Sequence, residues 1–349
     1  MRARVQEAAR LVGVTETGAI LLGEHVGVDG YAPNLLARVT THIHSDHIKG
    51  LRKSLREIAV HIATTLTHDL LSAMGYRVPP DKRVDASYNS RLRVDSTTVR
   101  LLPANHVPGA AQVVVEGEWG LAGYTGDFKL PGTEPIREAD VLVVDATYGM
   151  PEWRRPWQEE MEYLLPDIIS EALTRGPVNL YAYNGKQEEV LLLLRRNGVD
   201  APVIVSRKKW PAIRVLERHG FRVGDVLVEG SIEAMEVQRS GWYIRFRGFS
   251  EWSRRRRFGG SAVHVKLTGW EFRAPYYWVG QREVIVSFSD HADFDQLVNY
   301  VTEAKPRLLI VDSTRGSTAA RVFAEYARRR LGLQAVALPG EEERLLGYG

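Results

Sequence analysis

The segment Thr41-His42-Ile43-His44-Ser45-Asp46-His47 places three imidazoles and one carboxylate within six positions of a chain that has only ten histidines. Residues two apart on an extended segment point the same way, so His42 and His44 can bind one ion. Asp46 and His47 follow where the chain turns and can face a second point. Imidazole and carboxylate ligands suit zinc, and also manganese or iron. The segment therefore predicts two ligands for each of two adjacent metal ions; the alternative is a loose, adventitious histidine cluster.

Two further candidate ligands follow predicted strands downstream. The histidine segment itself comes after the apolar run 35–40, which is typical of a buried strand. His106 lies at the end of another apolar run. Asp127 follows a strand predicted over residues 120–124, and the intervening Gly126 lets the backbone bring a carboxylate close to a metal. Each alone would be an ordinary turn residue. Their order after the histidine segment makes them candidate partners in the same site.

The order His-x-His-x-Asp-His, a lone histidine and Gly-Asp resembles the metallo-β-lactamase fold, and more specifically the β-CASP nucleases of that superfamily. Four later segments carry the rest of the resemblance: Val143-Val144-Asp145-Ala146-Thr147-Tyr148, Ser287-Phe288-Ser289-Asp290-His291-Ala292-Asp293, Val265-Lys266-Leu267-Thr268-Gly269-Trp270 and Tyr181-Ala182-Tyr183-Asn184-Gly185-Lys186. The first two match acidic and late histidine motifs of the family. The Thr-Gly-Trp element resembles the DNA-processing branch, which contains Artemis and the cross-link repair nucleases. The Gly-Lys turn and the Ser-Asp-His-Ala-Asp spelling resemble bacterial DNA-ligase-associated exonucleases.

The resemblance implies an α/β fold, namely a metallo-β-lactamase αββα sandwich with an inserted β-CASP α/β domain. The metallo-β-lactamase domain would comprise residues 1–153 and 268–349, and the inserted domain residues 154–267. Periodicity agrees with an insertion, because residues 177–206 follow the order strand, turn, helix, strand of a βαβ unit on a parallel sheet. A chain of 349 residues can form one large or two ordinary domains.

The resemblance also implies how the ligands are shared between two divalent ions. Metal one would take His42, His44, His106 and Asp127, and metal two would take Asp46, His47 and the shared Asp127, with Asp312 as an open fourth ligand. Members that process RNA carry a further histidine ligand near the position of Asp312, and members that process DNA often lack one. Asp312 either binds the second metal, shifting its preference toward manganese or magnesium, or caps the helix predicted near Ser317.

Asp46, His291 and Asp145 are the candidate catalytic residues under this resemblance. His291 would protonate the leaving oxygen or bind the phosphate; the alternative is that it replaces the missing histidine ligand. Asp145 would orient His47 or His291 by a hydrogen bond, or simply cap its strand. Metal coordination lowers the pKa of water from 15.7 to about 7, so a metal-bound hydroxide would attack phosphorus in line.

Basic residues point to a nucleic-acid substrate. The chain has 37 arginines and nine lysines at a net charge of +3. Arginine matches phosphate oxygens, although genome composition or a thermophilic lifestyle explains the bias equally well. The run Arg254-Arg255-Arg256-Arg257 follows Trp252 and suits a phosphate backbone, or is a solvated loop. Lys186, at a predicted helix N-terminus, can hold a phosphate or contact the other domain, or it can simply lie at the surface. With Trp270, these residues are expected to line a cleft over the metals that favours single strands and DNA ends.

Composition excludes several function classes. The absence of cysteine rules out disulfides, thiolate zinc sites and cysteine nucleophiles. No apolar run reaches the roughly 18 residues of a membrane span, and the N-terminus has no apolar core typical of a secretory signal. A cytoplasmic protein without a membrane partner is therefore the default expectation.

The combined expectation is a DNA nuclease, a 5′ exonuclease of DNA repair that uses two divalent ions, zinc before manganese or magnesium. Association with other DNA repair proteins is part of this expectation. A β-CASP ribonuclease that processes RNA ends is the alternative, which Asp312 in place of histidine disfavours. The long insertion and the arginine bias disfavour small-molecule hydrolysis. The complete ligand set disfavours a metal-free scaffold.

Local patterns add three smaller predictions. Residues 92–102 alternate and predict one continuous strand. Residues 67–76 predict a helix with Thr67 as its N-terminal cap. His61 and His68 match no motif and are interpreted as structural, and His264 as a strand residue.

Overall fold

The computed structural model describes residues 2 to 340 apart from Asn184 and Gly259, and the side chains of residues 2 to 5 and of Arg256 also lie outside the description. The chain divides into two compact units, of which the first comprises Met1–Arg154 and His291–Gly349 and the second Arg155–Asp290. An inserted unit therefore interrupts the first one. Among the described helices, none combines the length and apolar character required to cross a membrane.

The first unit contains two mixed sheets. The first sheet holds six strands that follow one another in chain order: β1 (Val12–Val14), β2 (Ala19–Leu22), β3 (Val26–Asp29), β4 (Ala37–Val39), β5 (Val60–Ala63) and β6 (Arg83–Asp85). Its first three strands are antiparallel and the following pairs are parallel.

The second sheet of this unit runs in the order β20-β19-β11-β10-β9-β8-β7. Its strands are β7 (Leu92–Val94), β8 (Thr97–Pro103), β9 (Ala111–Gly117), β10 (Gly120–Tyr124), β11 (Val141–Asp145), β19 (Leu308–Asp312) and β20 (Ala335–Leu338). β7 to β10 form an antiparallel meander, whereas β10, β11, β19 and β20 are parallel. The carboxyl ends of these parallel strands therefore meet at one edge of the sheet.

The side-chain alternation of β11 shows how the two sheets pack. Val141 and Val143 join the apolar core shared with the first sheet, and Leu142 and Val144 join a second core against helices. Successive side chains of a strand point to opposite faces, so one strand contributes to both cores. The helices of this unit are α1 (Arg2–Leu11), α2 (Leu51–Glu57), α3 (Thr65–Ala73), α8 (Phe294–Ala304) and α9 (Ser317–Leu331).

Helices cover the outer faces of both sheets. Phe294 of α8 and Phe323 of α9 pack in the second core. On the first sheet, Arg38 of β4 points away from the shared core and donates to Ser54 Oγ of α2 at 2.8 Å. His61 of β5 similarly contacts His68 of α3. The first unit is thus an αββα sandwich, which confirms the predicted metallo-β-lactamase architecture.

The second unit is built on one largely parallel sheet in the order β14-β13-β15-β12-β16-β18-β17. Its strands are β12 (Val178–Ala182), β13 (Val203–Val205), β14 (Val226–Val228), β15 (Ile244–Gly248), β16 (Val263–Thr268), β17 (Tyr276–Trp278) and β18 (Glu283–Ser287). Its helices are α4 (Met161–Arg175), α5 (Lys186–Arg196), α6 (Trp210–Arg218), α7 (Ile232–Ser240) and a 3-10 helix (Phe249–Phe258). β12 and β13 both run parallel to β15, as predicted for a βαβ unit.

Three local predictions differ from the structure. The boundary expected at residue 268 lies at 290 instead, because β18 pairs with β16 in the inserted sheet, with Val286 opposite Leu267. The single strand over residues 92–102 is a hairpin, since Asp95 takes a left-handed φ of 50° between β7 and β8. The cap of α3 is Thr64 rather than Thr67, because the Thr64 side chain accepts from Thr67 N.

Candidate metal centre and nucleic-acid contacts

The candidate ligands lie on loops that follow strands of the first unit. The segment 41–47 comes directly after β4, and His106 follows β8. Asp127 follows β10 and Asp145 ends β11, which are neighbouring parallel strands. Parallel strands end at the same edge of a sheet, so chain segments far apart in sequence converge there.

The Asp127 carboxylate is the centre of this convergence. Its Oδ2 atom lies 3.1 Å from His47 Nε2, 3.4 Å from His42 Nε2, 3.6 Å from His106 Nε2 and 3.7 Å from His291 Nε2. Asp127 and His42 are almost fully buried. One carboxylate oxygen therefore faces four imidazole nitrogens in a site that excludes bulk water.

Two of the side-chain groups whose ligand atoms are close enough to hold an ion correspond to the two predicted metal positions. The atoms of His42, His44, His106 and Asp127 all lie within 4.8 Å of one another, and so do those of Asp46, His47 and Asp127. The first group contains the four residues predicted for metal one. The second contains three of the four predicted for metal two. The assignment of each ligand to an ion remains a prediction.

Unpaired buried atoms indicate that this site fits a cation. His42 Nε2, His47 Nε2 and Asp127 Oδ1 make no hydrogen bond within the described part of the chain. A buried polar atom left without a partner costs about 1–3 kcal/mol. Neutral imidazole nitrogens and a carboxylate that converge on one point are the donor set of zinc and related divalent ions.

Asp29 orients this site and was missed by the sequence analysis. It ends β3 with a left-handed φ of 61° and is completely buried. Its Oδ2 accepts from His47 Nδ1 at 2.7 Å and from Thr41 Oγ1 at 2.8 Å. Because Nδ1 of His47 is engaged, Nε2 is the nitrogen presented to Asp127. An acidic residue that ends a buried strand was the signal that identified Asp145, and it applies equally to Asp29.

Gly126 is required by the close packing beneath Asp127. It takes a left-handed φ of 57°, and a Cβ at this position would lie 3.0 Å from the Ala111 carbonyl oxygen and 3.4 Å from the Thr41 side chain. A larger residue would be strained and would push the loop away from the histidine segment. This agrees with the sequence-based reason for placing glycine before the carboxylate.

Burial and the neighbouring charges both shift the pKa values of the site residues. Burial lowers the pKa of His42, and so do the neighbouring His47 and His106 rings. Burial would raise the pKa of Asp127, but His47 and His291 hold it well below its ordinary value. Burial and Arg315 would lower the pKa of His47, but the carboxylates Asp127 and Asp29 raise it. A divalent ion would require each ring that binds it to present a neutral nitrogen.

His291 contacts Asp145, one of the two partners predicted for that carboxylate. His291 Nδ1 donates to Asp145 Oδ2 at 3.1 Å. Asp145 Oδ1 accepts from Thr147 Oγ1 at 2.8 Å, which fixes the carboxylate. His291, Asp127 and Asp145 also form a group with ligand atoms within 4.8 Å. The geometry accommodates either predicted role of His291, proton transfer or metal binding.

Asp312 lies outside the candidate metal-ligand groups found among the described residues. Its Oδ1 accepts from Thr314 N at 2.9 Å and from Thr314 Oγ1, and its Oδ2 pairs with Arg315. The helix α9 begins at Ser317 with Gly316 as its cap, so Asp312 does not cap it. The predicted role of Asp312 as a helix cap is therefore wrong, whereas its role as a metal ligand stays a prediction. Its pairing with Arg315 was not predicted from the sequence.

Lys186 is buried rather than exposed at the surface, and its ammonium group has partners within the inserted unit. It is buried, its Nζ donates to the Phe288 carbonyl at 3.2 Å, and it lies 3.0 Å from Asp290 Oδ1. The Gly-Lys turn before α5 is therefore tied to the strand end after β18 in the inserted unit. The neighbouring Asn184 lies outside the described residues.

The arginines of the run 254–257 differ in exposure and in their contacts. Arg254 and Arg257 are exposed. Arg255 pairs with Glu283 at 2.8 Å and stacks over the Trp252 ring at 4.3 Å, so it is already neutralised. The Arg256 side chain lies outside the description.

Two aromatic rings of the inserted unit are also exposed. Trp270 is 59% exposed, in agreement with its predicted role in contacting a ligand. Tyr183 is 57% exposed and stacks on Phe249 with ring centres 4.2 Å apart. The sequence analysis missed Tyr183 and Phe249 because the two residues are far apart in the chain.

The chain is similar to three relatives of different length. A protein from Acidianus ambivalens, described as an uncharacterized protein in the lig 3′ region, is 48% identical over 39% of this chain and 98% of its own length. The RNase aCSPSF2 of Saccharolobus solfataricus is 29% identical over 47% of this chain and 39% of its own length. The 5′ exonuclease Apollo of Gallus gallus is 24% identical over 93% of this chain and 68% of its own length. The chain thus spans well under half of the ribonuclease.

A solved structure supports the fold. The crystal structure of a protein of unknown function from Enterococcus faecalis V583 matches with a TM-score of 0.57 at 12% identity, covering 86% of this chain and 91% of that one. At this identity the likeness bears on the fold alone. A comparison with protein-family profiles finds no match.

Proposed function

Because this chain belongs to the β-CASP nucleases of the metallo-β-lactamase fold, we propose that it hydrolyses phosphodiester bonds of DNA as a metal-dependent 5′ exonuclease in repair. The observation that carries the proposal is the Asp127 carboxylate, whose Oδ2 faces four imidazole nitrogens within 3.7 Å. The unpaired His42 and His47 nitrogens give this group the character of a metal site rather than of a structural cluster.

Each side chain of the site has a distinct task in this proposal. His42, His44, His106 and Asp127 hold a divalent ion, and Asp29 keeps His47 turned toward the same carboxylate. A divalent ion held there lowers the pKa of bound water and neutralises charge on the phosphate. His291, fixed by Asp145, presents Nε2 beside Asp127 and can donate a proton to the leaving oxygen.

Exposed groups of the inserted unit support a nucleic-acid substrate. Arg254 and Arg257 offer exposed guanidinium groups for phosphates. The exposed rings of Tyr183 and Trp270 offer stacking surfaces, which are worth about 1–3 kcal/mol per base in single-strand binding. DNA and 5′ polarity are favoured by the Thr268-Gly269-Trp270 element and by the similarity, over most of this chain, to a protein named as a 5′ exonuclease.

Matched substrates test the substrate class and polarity. The purified chain would be incubated with manganese, magnesium or zinc on end-labelled DNA and RNA of the same sequence, with and without a 5′-phosphate. Stepwise loss from 5′-phosphorylated DNA with RNA spared is the expected result. A preference for RNA would instead favour the ribonuclease alternative, for which the similarity to RNase aCSPSF2 is the specific observation.

Variants of the ligands separate cleavage from binding. Asp46→Ala and His47→Ala are expected to abolish cleavage while nucleic-acid affinity changes little, because the exposed basic groups lie on other elements. Unchanged cleavage in either variant would refute a role of that side chain in cleavage.

Variants of the exposed arginines test the binding surface. Arg254→Gln/Arg257→Gln should weaken single-stranded DNA binding and reduce the salt slope by about 0.7 for each phosphate that is no longer neutralised. The control Arg214→Gln/Arg222→Gln removes two other exposed arginines of the inserted unit that pair with Glu217 and Asp200. Equal effects in the two double variants would mean that binding is not localised at the arginine run.

A further inference from the structure

A buried arginine lies beside the residues predicted for the second metal. Arg315 Nε is 3.1 Å from Asp46 Oδ2, and another nitrogen of the same guanidinium pairs with Asp312 Oδ2. Its Nη2 is 3.5 Å from His47 Nδ1. The Arg315 side chain is only 10% exposed. One guanidinium therefore contacts three of the side chains that the sequence assigns to the second ion.

One carboxylate oxygen of Asp46, a predicted ligand of the second ion, already has partners. Asp46 Oδ2 lies 3.3 Å from His47 Nε2 and is the same atom that accepts from Arg315 Nε. Asp312 is also occupied, by Thr314 and Arg315. An ion at this position would have to compete with a guanidinium that is always protonated and only weakly hydrated.

The other ligand group differs, because two of its ligand atoms have no partner. His42 Nε2 and Asp127 Oδ1 make no hydrogen bond within the described part of the chain. The two predicted metal positions thus differ in their surroundings, because a fixed cation lies among the ligands predicted for the second ion, against Asp46 and Asp312. Like charges in a buried site repel strongly because the local dielectric is low.

We propose that Arg315 takes the place of the second metal ion, so that the chain holds one tightly bound divalent ion on His42, His44, His106 and Asp127. The guanidinium supplies the positive charge that neutralises Asp46 and Asp312. The pairing with Arg315 also gives Asp312 a role that requires no metal. This inference rests on the metal site of the proposed function.

Counting bound ions tests the proposal without reference to activity. Metal-stripped protein would be dialysed against Mn²⁺, and in a second series against Zn²⁺, and its metal content measured by elemental mass spectrometry. One ion per wild-type chain is expected. Arg315→Met, which keeps most of the side-chain volume and removes the charge, should bind two, because no fixed cation then competes for Asp46.

The control is Arg307→Met, because Arg307 also pairs with a buried aspartate, Asp140, at 2.9 Å. This variant should stay at one ion. Two ions in the wild type, or one ion in a folded Arg315→Met, would overturn the role of Arg315. No bound ion in the wild type would refute the metal site, and with it the proposed function.

Electron paramagnetic resonance of the Mn²⁺-loaded wild type keeps the test decisive if Arg315→Met fails to fold. An isolated Mn²⁺ spectrum is expected when only one ion is held. A spin-coupled pair spectrum in the wild type would show two adjacent ions and contradict the proposal.

Discussion

The first unit contains two buried histidine groups, and they differ in how their nitrogens are used. In one group, His42 Nε2 and His47 Nε2 face Asp127 and make no hydrogen bond within the described part of the chain. In the other, His61 Nε2 contacts Thr40 Oγ1 at 2.9 Å and His61 Nδ1 contacts His68 Nε2 at 2.9 Å.

The second group is complete without a ligand. His68 Nδ1 donates to Asp85 Oδ1 at 2.6 Å, so both nitrogens of both rings are engaged. Asp85 is partly exposed, so the chain of hydrogen bonds from Thr40 through His61 and His68 ends at the surface. Buried histidines therefore do not by themselves form a metal site. A candidate metal site is distinguished by imidazole nitrogens that make no hydrogen bond and converge on a shared carboxylate.

The largest expected difference between the two groups is in cleavage. His42→Ala/His106→Ala should lose metal and reduce the cleavage rate by about 1,000-fold or more, since several kcal/mol of transition-state stabilisation disappear. His61→Gln/His68→Gln should keep the metal and most of the rate. Metal content and cleavage of labelled DNA would be measured for both. If the two double variants lost cleavage equally, the distinction between the groups would be wrong.

Metal removal should destabilise the wild type but not the variant that lacks the ligands. An ion present at 100 times its dissociation constant stabilises the folded state by about 2.7 kcal/mol. Thermal unfolding with and without a chelator would therefore show a lower Tm for the chelated wild type. His42→Ala/His106→Ala should unfold at the same temperature in both conditions. A chelator effect of equal size in the variant would place the stabilising ion elsewhere.

The carboxylates behind the two groups should also differ. Asp29→Asn weakens the hold on the Thr41 hydroxyl, which contacts Nδ1 of the ligand His42 at 2.9 Å, and should weaken metal affinity by about 10- to 100-fold. Asp85→Asn alters the partner of His68 and should leave metal affinity unchanged. Competition with a metal-binding dye would give both dissociation constants. Equal affinity of Asp29→Asn and wild type would exclude an orienting role for Asp29.

The smallest expected effect is on the pH dependence of stability. Burial lowers the pKa of both His61 and His68 below 6.5; neighbouring charges lower the pKa of His61 further, whereas Asp85 partly offsets the shift of His68. The unfolded chain therefore binds more protons, so the free energy of unfolding is largest above pH 6.5 and falls as the pH drops below it. Urea unfolding at pH 7.5 and 5.5, with chelator throughout, should show a smaller fall for His61→Gln/His68→Gln. A fall as large as in the wild type would contradict this origin.

Much of the fold follows from local patterns that the chain shows without its structure. The predicted strand over residues 120–124 is β10, and the helix expected after Gly185 is α5. The predicted strand over residues 92–102 failed at Asp95, whose left-handed backbone is not visible in an alternating pattern. The boundary at residue 268 failed because the pairing of β18 with β16 is a contact between strands, which periodicity does not report.

The same division applies to the site. The types, order and spacing of His42, His44, His106 and Asp127 were enough to predict a metal centre, because ligand chemistry depends on residue type and on strand ends. Packing decided which buried histidine nitrogens lack a partner, that Asp29 orients His47, and that Arg315 lies against Asp46. These contacts join residues 18 and 269 positions apart. No local pattern specifies them, because they form only when distant strands end at a common edge of the sandwich.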